Sequence, residues 1–403
     1  MRLHEAARLA PQDKQKQWDL ANFYLKYEIL DKAADQLAAI IHLDNRDLVA
    51  QLRLADVCLR VKQFKTAEFY YHHVTEEDPR SIEAWQGVSA ALHKQRRFYE
   101  ATTAARKAVE LDKNNPSSHL VFATCLLDYA LQYPDPIMHS AEINVARKEF
   151  EGLIKAMPDN GEVFYQYGRA EEALLQRESS VKLLERAHQL SPDNAEAARM
   201  LALAYRAMLR DDKALKVMQE LLVRQPKNPA TNDMLGQLYL ASTVPGDAQK
   251  AVDAFKTAAE AAPNDVYILE RLGGAYEKIK NDAGARAAYE KATQINPYRA
   301  FAFQRLALVY TRLSQPALAK EAATNGRNMA FNEQQLKTIQ ALSSKHPEDV
   351  NLHLILAEHY RSIKLLGPAR DEYFSVLRID PKNKRVPAEF IKGAAAEPEK
   401  GLY

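Results

Sequence analysis

Few residues of this chain stand at spacings that could do chemistry together. His72 and His73 are adjacent, and neighbours on a helix point about 100° apart, so one is expected half-buried and the other solvated, not both on one metal. His353 and His359 are six residues apart, which does not align two ligands on one helical face as a spacing of four does. The two cysteines, Cys58 and Cys125, lack a cysteine neighbour for zinc, and each falls in a separate helical pattern, beyond the ~7 Å Cα separation a disulfide bridges. Glu171 with Glu172, and Asp211 with Asp212, are adjacent carboxylates of the kind that line a solvated helix face or loop. No glycine-rich phosphate loop follows a strand, because no segment reads as a strand. The sequence therefore reads as non-enzymatic, without a cofactor or a metal.

Composition narrows the partner classes. Lys and Arg number 55 against 53 Asp and Glu, a formal net charge of +2, so no overall field would hold a polyanion and nucleic acid is not expected as the principal partner. No run approaches the roughly 18 apolar residues of a membrane span, and Arg2, His4 and Glu5 do not open a signal peptide. As written, the chain reads as soluble and without an export signal. Two buried thiols suit a reducing compartment, although so cysteine-poor a chain would also survive in a periplasm or envelope.

The elements that position these residues are announced by proline. Pro158, Pro192 and Pro226, then Pro263 and Pro297, then Pro347 and Pro381, recur 34 residues apart, each closing an apolar helical pattern. With position 1 at Lys14, Leu48, Ile82, Gly161, Ala195, Pro229, Val266, Ala300 and Val350, the same residue types fall into register. Position 8 is small (Ala21, Ala55, Ser89, Gly168, Ala202, Gly236, Gly273, Ala307, Ala357), as two nearly touching helices require. Position 20 is Ala wherever it is assigned except at Ser180. Positions 7 and 11 supply large core residues, as in Leu272 with Tyr276 and Leu306 with Tyr310. Asp or Asn beside the prolines, as in Pro192-Asp193-Asn194, offers a cap to the next helix.

Leu269, Leu272, Gly273, Tyr276, Ala285, Tyr289, Ala292 and Pro297 meet the tetratricopeptide-repeat pattern almost fully. The chain resembles that family over nearly its whole length, with about ten repeats, whereas the similar family of RNA-reading 35-residue repeats does not share this phase or these landmarks. The resemblance implies an all-α, right-handed superhelical solenoid of antiparallel helix pairs. Residues 1–13 read as the second helix of a repeat whose first helix is missing, since Leu3, Ala6 and Pro11 fall in phase with Lys14; a fragment, or a start lying upstream, is expected. Residues 14–383 form one array. It is interrupted by an insertion at 127–141 in the fourth repeat, a smaller one at Ser242 to Asp247, and a surplus helix at 331–345 bearing Leu336, Ile339 and Leu342. Residues 384–403 read as a tail.

The resemblance further implies that first helices line a concave surface, with positions 2, 5, 6, 9, 12 and 13 facing a partner. Arg53 with Arg60, Arg271 with Lys278, and Arg305 with Arg312 each lie two helical turns apart there, and Arg361 extends the series. One reading is a basic stripe holding an acidic peptide. The other is a mixed solvated face with intrahelical ion pairs, because Glu270, Glu277 and Glu358 share the surface. The chaperone-binding clamp is not met, since Asn22 stands at position 9 but Trp18 and Leu52 at position 5, and the asparagine ladder of sugar-transferase-associated arrays is absent, with Asp19, Arg53 and Gly87 at position 6. Trp18 in the first groove and Tyr129, Tyr133 and Met138 in the insertion are further contact candidates. The function expected is a non-catalytic scaffold or adaptor holding a peptide or protein domain. The alternative is a permanent subunit of a large assembly, in a bacterial envelope for example.

Overall fold

The computed structural model describes residues 2–132, 139–362, 366–388 and 390, and these are helical, without a strand. The chain divides into two compact units, Met1–Arg224 and Gln225–Tyr403, where one array was expected. The first contains α1 (Arg2–Leu9), α2 (Lys14–Lys26), α3 (Leu30–Leu43), α4 (Leu48–Arg60), α5 (Phe64–Glu77), α6 (Ile82–Lys94), α7 (Phe98–Leu111), α8 (Pro116–Leu131), α9 (Ser140–Ala156), α10 (Gly161–Ala173), α11 (Arg177–Leu190), α12 (Ala195–Ala207) and α13 (Asp211–Arg224). The second contains α14 (Pro229–Ala241), α15 (Asp247–Ala261), α16 (Val266–Lys278), α17 (Asp282–Ile295), α18 (Ala300–Arg312), α19 (Pro316–Lys345), α20 (Val350–Ser362) and α21 (Leu366–Ile379). From α2 onward the helices pack as consecutive pairs, and α1 lies against α2. No described helix is long and apolar enough to cross a membrane.

Each residue assigned to position 1 is the first residue of a helix, and Pro116 joins the series. The reason is the residue before it. Asp13, Asp47, Ser81, Asn115, Asn160, Asn194, Asn228 and Asp265 each accept, through the side chain, a backbone N–H two or three residues further on, which satisfies a donor the helix start would leave open. Arg299 cannot do this. There Glu333, from the far half of α19, accepts the Ala300 N–H at 3.0 Å instead.

First helices end by a device that carries no glycine. Glu28, Lys62, Arg96, Leu175, Leu209, Lys280 and Ser314 occupy the same repeat position with φ between 56° and 64°, and the N–H of the next residue reaches back to a carbonyl of the last turn, as in Ile29 to Tyr24 at 2.9 Å. A left-handed residue that bears a Cβ is strained.

The two helices of a pair meet where the sequence has its smallest residues. A Cβ on Gly236 would lie 2.6 Å from the Phe255 ring, and one on Gly273 2.6 Å from the Tyr289 ring. Ser180, the departure from Ala at position 20, donates its hydroxyl to the Gly168 carbonyl at 2.9 Å across the same kind of contact.

Two boundary expectations change. The surplus helix at 331–345 is the continuation of α19, a single helix of 30 residues, because nothing in the sequence breaks it before Lys345. The segment read as a tail begins as core: Val386 and Phe390 are buried, with the Phe390 ring 4.8 Å from that of Tyr373. Phe390 finds there an apolar surface that composition alone does not reveal.

Gly236→Ala is expected to destabilise the chain by about 1–3 kcal/mol, since the ring must move. Gly152→Ala, in α9 with nothing within 4 Å of the added carbon, should stabilise it by about 0.5–1 kcal/mol. Denaturant midpoints of the two variants moving in the same direction would contradict this. Leu209 is 92% exposed at φ 59°, so Leu209→Gly relieves strain without losing packing and should raise stability by about 1 kcal/mol; a lowered melting temperature would refute it.

Candidate functional site on the first helices

First helices of successive repeats touch one another (α4 with α6, α6 with α8, α8 with α10, α10 with α12, and α14 with α16), whereas successive second helices do not come that close. In the first unit the first helices from α4 to α12 therefore form the inner side, and in the second unit α14 and α16 meet in the same way, with α18 tied to α16 through Arg305 and Glu277.

In the first unit the inner side is tied by polar pairs between repeats. Lys14 bridges Asp44 at 2.7 Å and Asp47 at 2.6 Å, and the Trp18 indole, half-buried on the core, donates to Asp47 at 3.4 Å. Arg60 pairs with Glu28 at 3.0 Å. Asp128 links three first helices: His93 Nε2 lies 2.6 Å from one oxygen and Arg169 Nη2 2.7 Å from the other. Burial opposes ionisation of Asp128, yet His93 and Arg169 outweigh it and hold its pKa below the ordinary value. Arg53 is exposed and pairs with no carboxylate among the described residues. Tyr129 is half-buried, with its ring 5.8 Å from Tyr99 and 5.9 Å from His139, while Tyr133 and Met138 lie outside the described residues.

The second unit holds most of the arginines expected to face a partner, and the structure gives them carboxylates from this chain. Arg271 Nε is 2.6 Å from Asp233. Arg299 grips Glu270 with two nitrogens and stacks over the Tyr267 ring at 4.5 Å. Arg305 holds Glu277 at 3.0 and 2.7 Å, Arg312 reaches Glu277 at 2.8 Å and Asp282 at 2.7 Å, and the Tyr289 hydroxyl donates to Glu277 at 2.8 Å. Burial, then Glu277, pushes the Tyr289 phenol up, which keeps it a donor. The pairs run between successive repeats and not along one helix, a correction to the intrahelical arrangement expected. Lys278 is exposed and without an ion pair among the described residues; Arg361 is exposed in α20.

The residues first considered for chemistry are largely structural. His72 is exposed and His73 half-buried against Gln51 at 2.7 Å. Asp211 and Asp212 are solvated, but Glu171 is not: it is 1% exposed and takes Arg147 Nε at 2.6 Å, so the solvated reading fails where a cation from the preceding repeat reaches it. Both cysteines are free and buried, and burial pushes the Cys125 thiol up to about 12. His353 is buried, with Nδ1 2.6 Å from Glu372 and Nε2 3.1 Å from the Pro347 carbonyl. His119 repeats that arrangement with Glu149 at 2.6 Å and the Lys113 carbonyl at 2.9 Å. Both stand at position 4, where Gln17, Gln51, Trp85 and Asn232 also donate to the carbonyl six residues earlier. Position 4 is thus a staple onto the preceding turn.

Reading the inner positions for charge overlooked their apolar members. Tyr267, Phe301, Leu308 and Ile355 stand at positions 2, 2, 9 and 6 of successive first helices and remain 56, 48, 50 and 43% exposed. Gly274, one turn before Lys278, carries no side chain there, and a Cβ would meet only the Tyr289 hydroxyl, in ordinary contact at 3.8 Å. The same register, scanned for large apolar residues as well as for arginine, would have found them.

The family model described as tetratricopeptide repeat matches residues 235–300, and a second so described matches residues 196–228. No curated protein matches the chain. Among solved structures, a tetratricopeptide repeat protein from Parabacteroides merdae is similar at 12% identity with a TM-score of 0.52, over 66% of this chain and 99% of that one. A human IFIT1 dimer with m7Gppp-AAAA is similar at 16% identity and a TM-score of 0.48, over 91% and 90% of the two chains. The APC/C hetero-tetramer Cut9-Hcn1 is similar at 14% identity and a TM-score of 0.42, over 94% and 76%.

Burial opposes the charged form of His119, but the Lys113 carbonyl and the Glu149 carboxylate outweigh it and raise its pKa. Its contribution to stability is then complete below the unfolded value of about 6.5 and is lost as pH rises through the folded one. His119→Gln keeps a donor for the carbonyl, so the deficit against wild type should be largest near about pH 5 and shrink in mildly alkaline buffer. A deficit constant across a pH series of thermal melts would disprove the ionic contribution.

Proposed function

This chain is a tetratricopeptide-repeat solenoid, and we propose that it is a non-catalytic protein-interaction scaffold that holds a segment of another protein along the inner face of α16 and α18. The observation that carries this reading is the set of three large apolar side chains, Tyr267, Phe301 and Leu308, kept at solvent on helices whose other faces are buried. Tyr267 and Phe301 share position 2 of successive repeats, and water-exposed apolar groups of this size gain most by taking a partner's side chains. Phe301 and Leu308 lie two turns apart on one face, and Tyr267 occupies the position of Phe301 one repeat earlier. Gly274, at the position of Leu308 one repeat earlier, supports the same reading, because a bare helix position lets a partner's backbone or side chain approach.

Gly274 allows binding to be separated from folding. Gly274→Leu covers the bare position, touches the Tyr289 hydroxyl only at ordinary contact distance through its Cβ, and replaces a helix-interior glycine, so it should leave stability unchanged or raise it by up to about 1 kcal/mol. Peptides displayed on phage and selected on the wild-type chain should lose at least about tenfold in affinity for this variant, roughly the effect of excluding one apolar anchor. Selected peptides that bind both proteins equally would refute the site, as would a selection that enriches nothing.

A further inference from the structure

We infer that the occupant of this face is an acidic segment, whose carboxylates are read by Arg312 and Lys278 while Arg305 remains on Glu277 as a positioning residue. The inference rests on the scaffold reading above and adds the partner's chemistry. Its basis is the unequal exposure within the ion pairs. The carboxylates lie underneath, with the side chains of Glu277, Glu270 and Asp233 only 9, 6 and 15% exposed, whereas those of Arg305, Arg312 and Arg271 are 37, 41 and 34% exposed. Within these pairs of α16 and α18 the groups presented to a partner are guanidinium N–H donors, with the Lys278 ammonium beside them, while the exposed carboxylate of Glu358 belongs to α20 and is held by Arg385.

The arginines are not equivalent. Glu277 accepts four bonds, two from Arg305, one from Arg312 and one from Tyr289. If Arg312 turns outward, Glu277 keeps the two-pronged Arg305 contact and the Tyr289 hydroxyl, so no buried carboxylate is left unpaired. The other bond Arg312 gives up is to Asp282, whose side chain is 25% exposed and can be taken over by water. Moving Arg305 would strip two of the four bonds from a nearly buried carboxylate, which is far more costly. Arg312 is therefore the releasable cation and Arg305 the fixed one.

Lys278 stands at the same repeat position as Arg312 one repeat earlier, and Leu308 and Gly274 lie one turn before Arg312 and Lys278 respectively. Two carboxylate readers thus stand next to an apolar anchor and a bare helix position. A segment with Asp or Glu beside Leu or Phe fits this set. A sugar–phosphate backbone would leave Tyr267, Phe301 and Leu308 without apolar partners, and the net charge of +2 supplies no field for it.

The test uses the peptides selected on the full chain, with affinity read by fluorescence anisotropy. Gly274-dependent peptides should carry Asp or Glu next to apolar residues, and binding should weaken as salt is raised. Arg312→Gln and Lys278→Gln should each weaken binding about tenfold, as expected for loss of one charge-assisted hydrogen bond. Asp282→Asn, which removes the competitor for Arg312, should strengthen binding severalfold, a result that damage to the fold would not produce. Gly274-dependent peptides that are neutral or basic would overturn the inference while leaving the groove standing. So would acidic peptides indifferent to both substitutions, an Asp282→Asn variant that does not bind more tightly, or competition by single-stranded RNA at equal concentration. Peptides that ignore Gly274→Leu would remove the groove reading, and this inference with it.

Discussion

The closeness of the two helices within each pair governs everything else in this molecule. At Gly236 and Gly273 the approach is so tight that an added carbon would enter the Phe255 or Tyr289 ring, and at Ala21, Ala55 and Ala202 the same position is fully buried. Interiors packed at this density do not tolerate a shifted helix, so the contact sets both the separation and the rotation of the pair. Rotation in turn decides which positions of the first helix face inward. Were position 8 larger, positions 2, 6, 9 and 13 would point elsewhere, and Arg305 and Arg312 would no longer reach Glu277.

Between pairs the cohesion is more polar than within them. Glu171, Glu270 and Glu277 are nearly buried carboxylates, which would be costly alone and are accepted because an arginine of a neighbouring repeat meets each of them. Tyr310 extends the theme by donating to Glu290 of the preceding repeat at 2.8 Å. Using arginines as ties has a functional consequence. On the function proposed above, cations already tied from below call for a partner that also satisfies the exposed apolar residues beside them.

Much of the fold was legible because its signals are local. Position 1 was placed correctly at each assigned repeat, since an Asp, Asn or Ser cap precedes nearly every start and lies within one turn of the helix it begins. The left-handed residue ending seven of the first helices is not legible in the sequence, because Glu28, Lys62 and Leu209 are not the glycine such a position usually carries. The surplus helix was misjudged for a related reason: the repeat length implied a stop near residue 330, but no proline or glycine enforces one, and α19 continues to Lys345. Val386 and Phe390 were assigned to a tail because nothing in their neighbours in sequence hints at Tyr373 beneath them.

By itself the sequence determined the helix pairs, their period, their small contact positions and the inner register of the first helices, all of which follow from interactions within one turn or one repeat. Only the tertiary structure decided what the charges do. Arg305, Arg312 and Glu277 occupy positions that sequence reading marked as facing a partner, yet whether a cation there is free, tied or releasable depends on a side chain 28 or 35 residues away and on how deeply that side chain is buried. Such pairings are created by the stacking of repeats, and no local spacing encodes their desolvation.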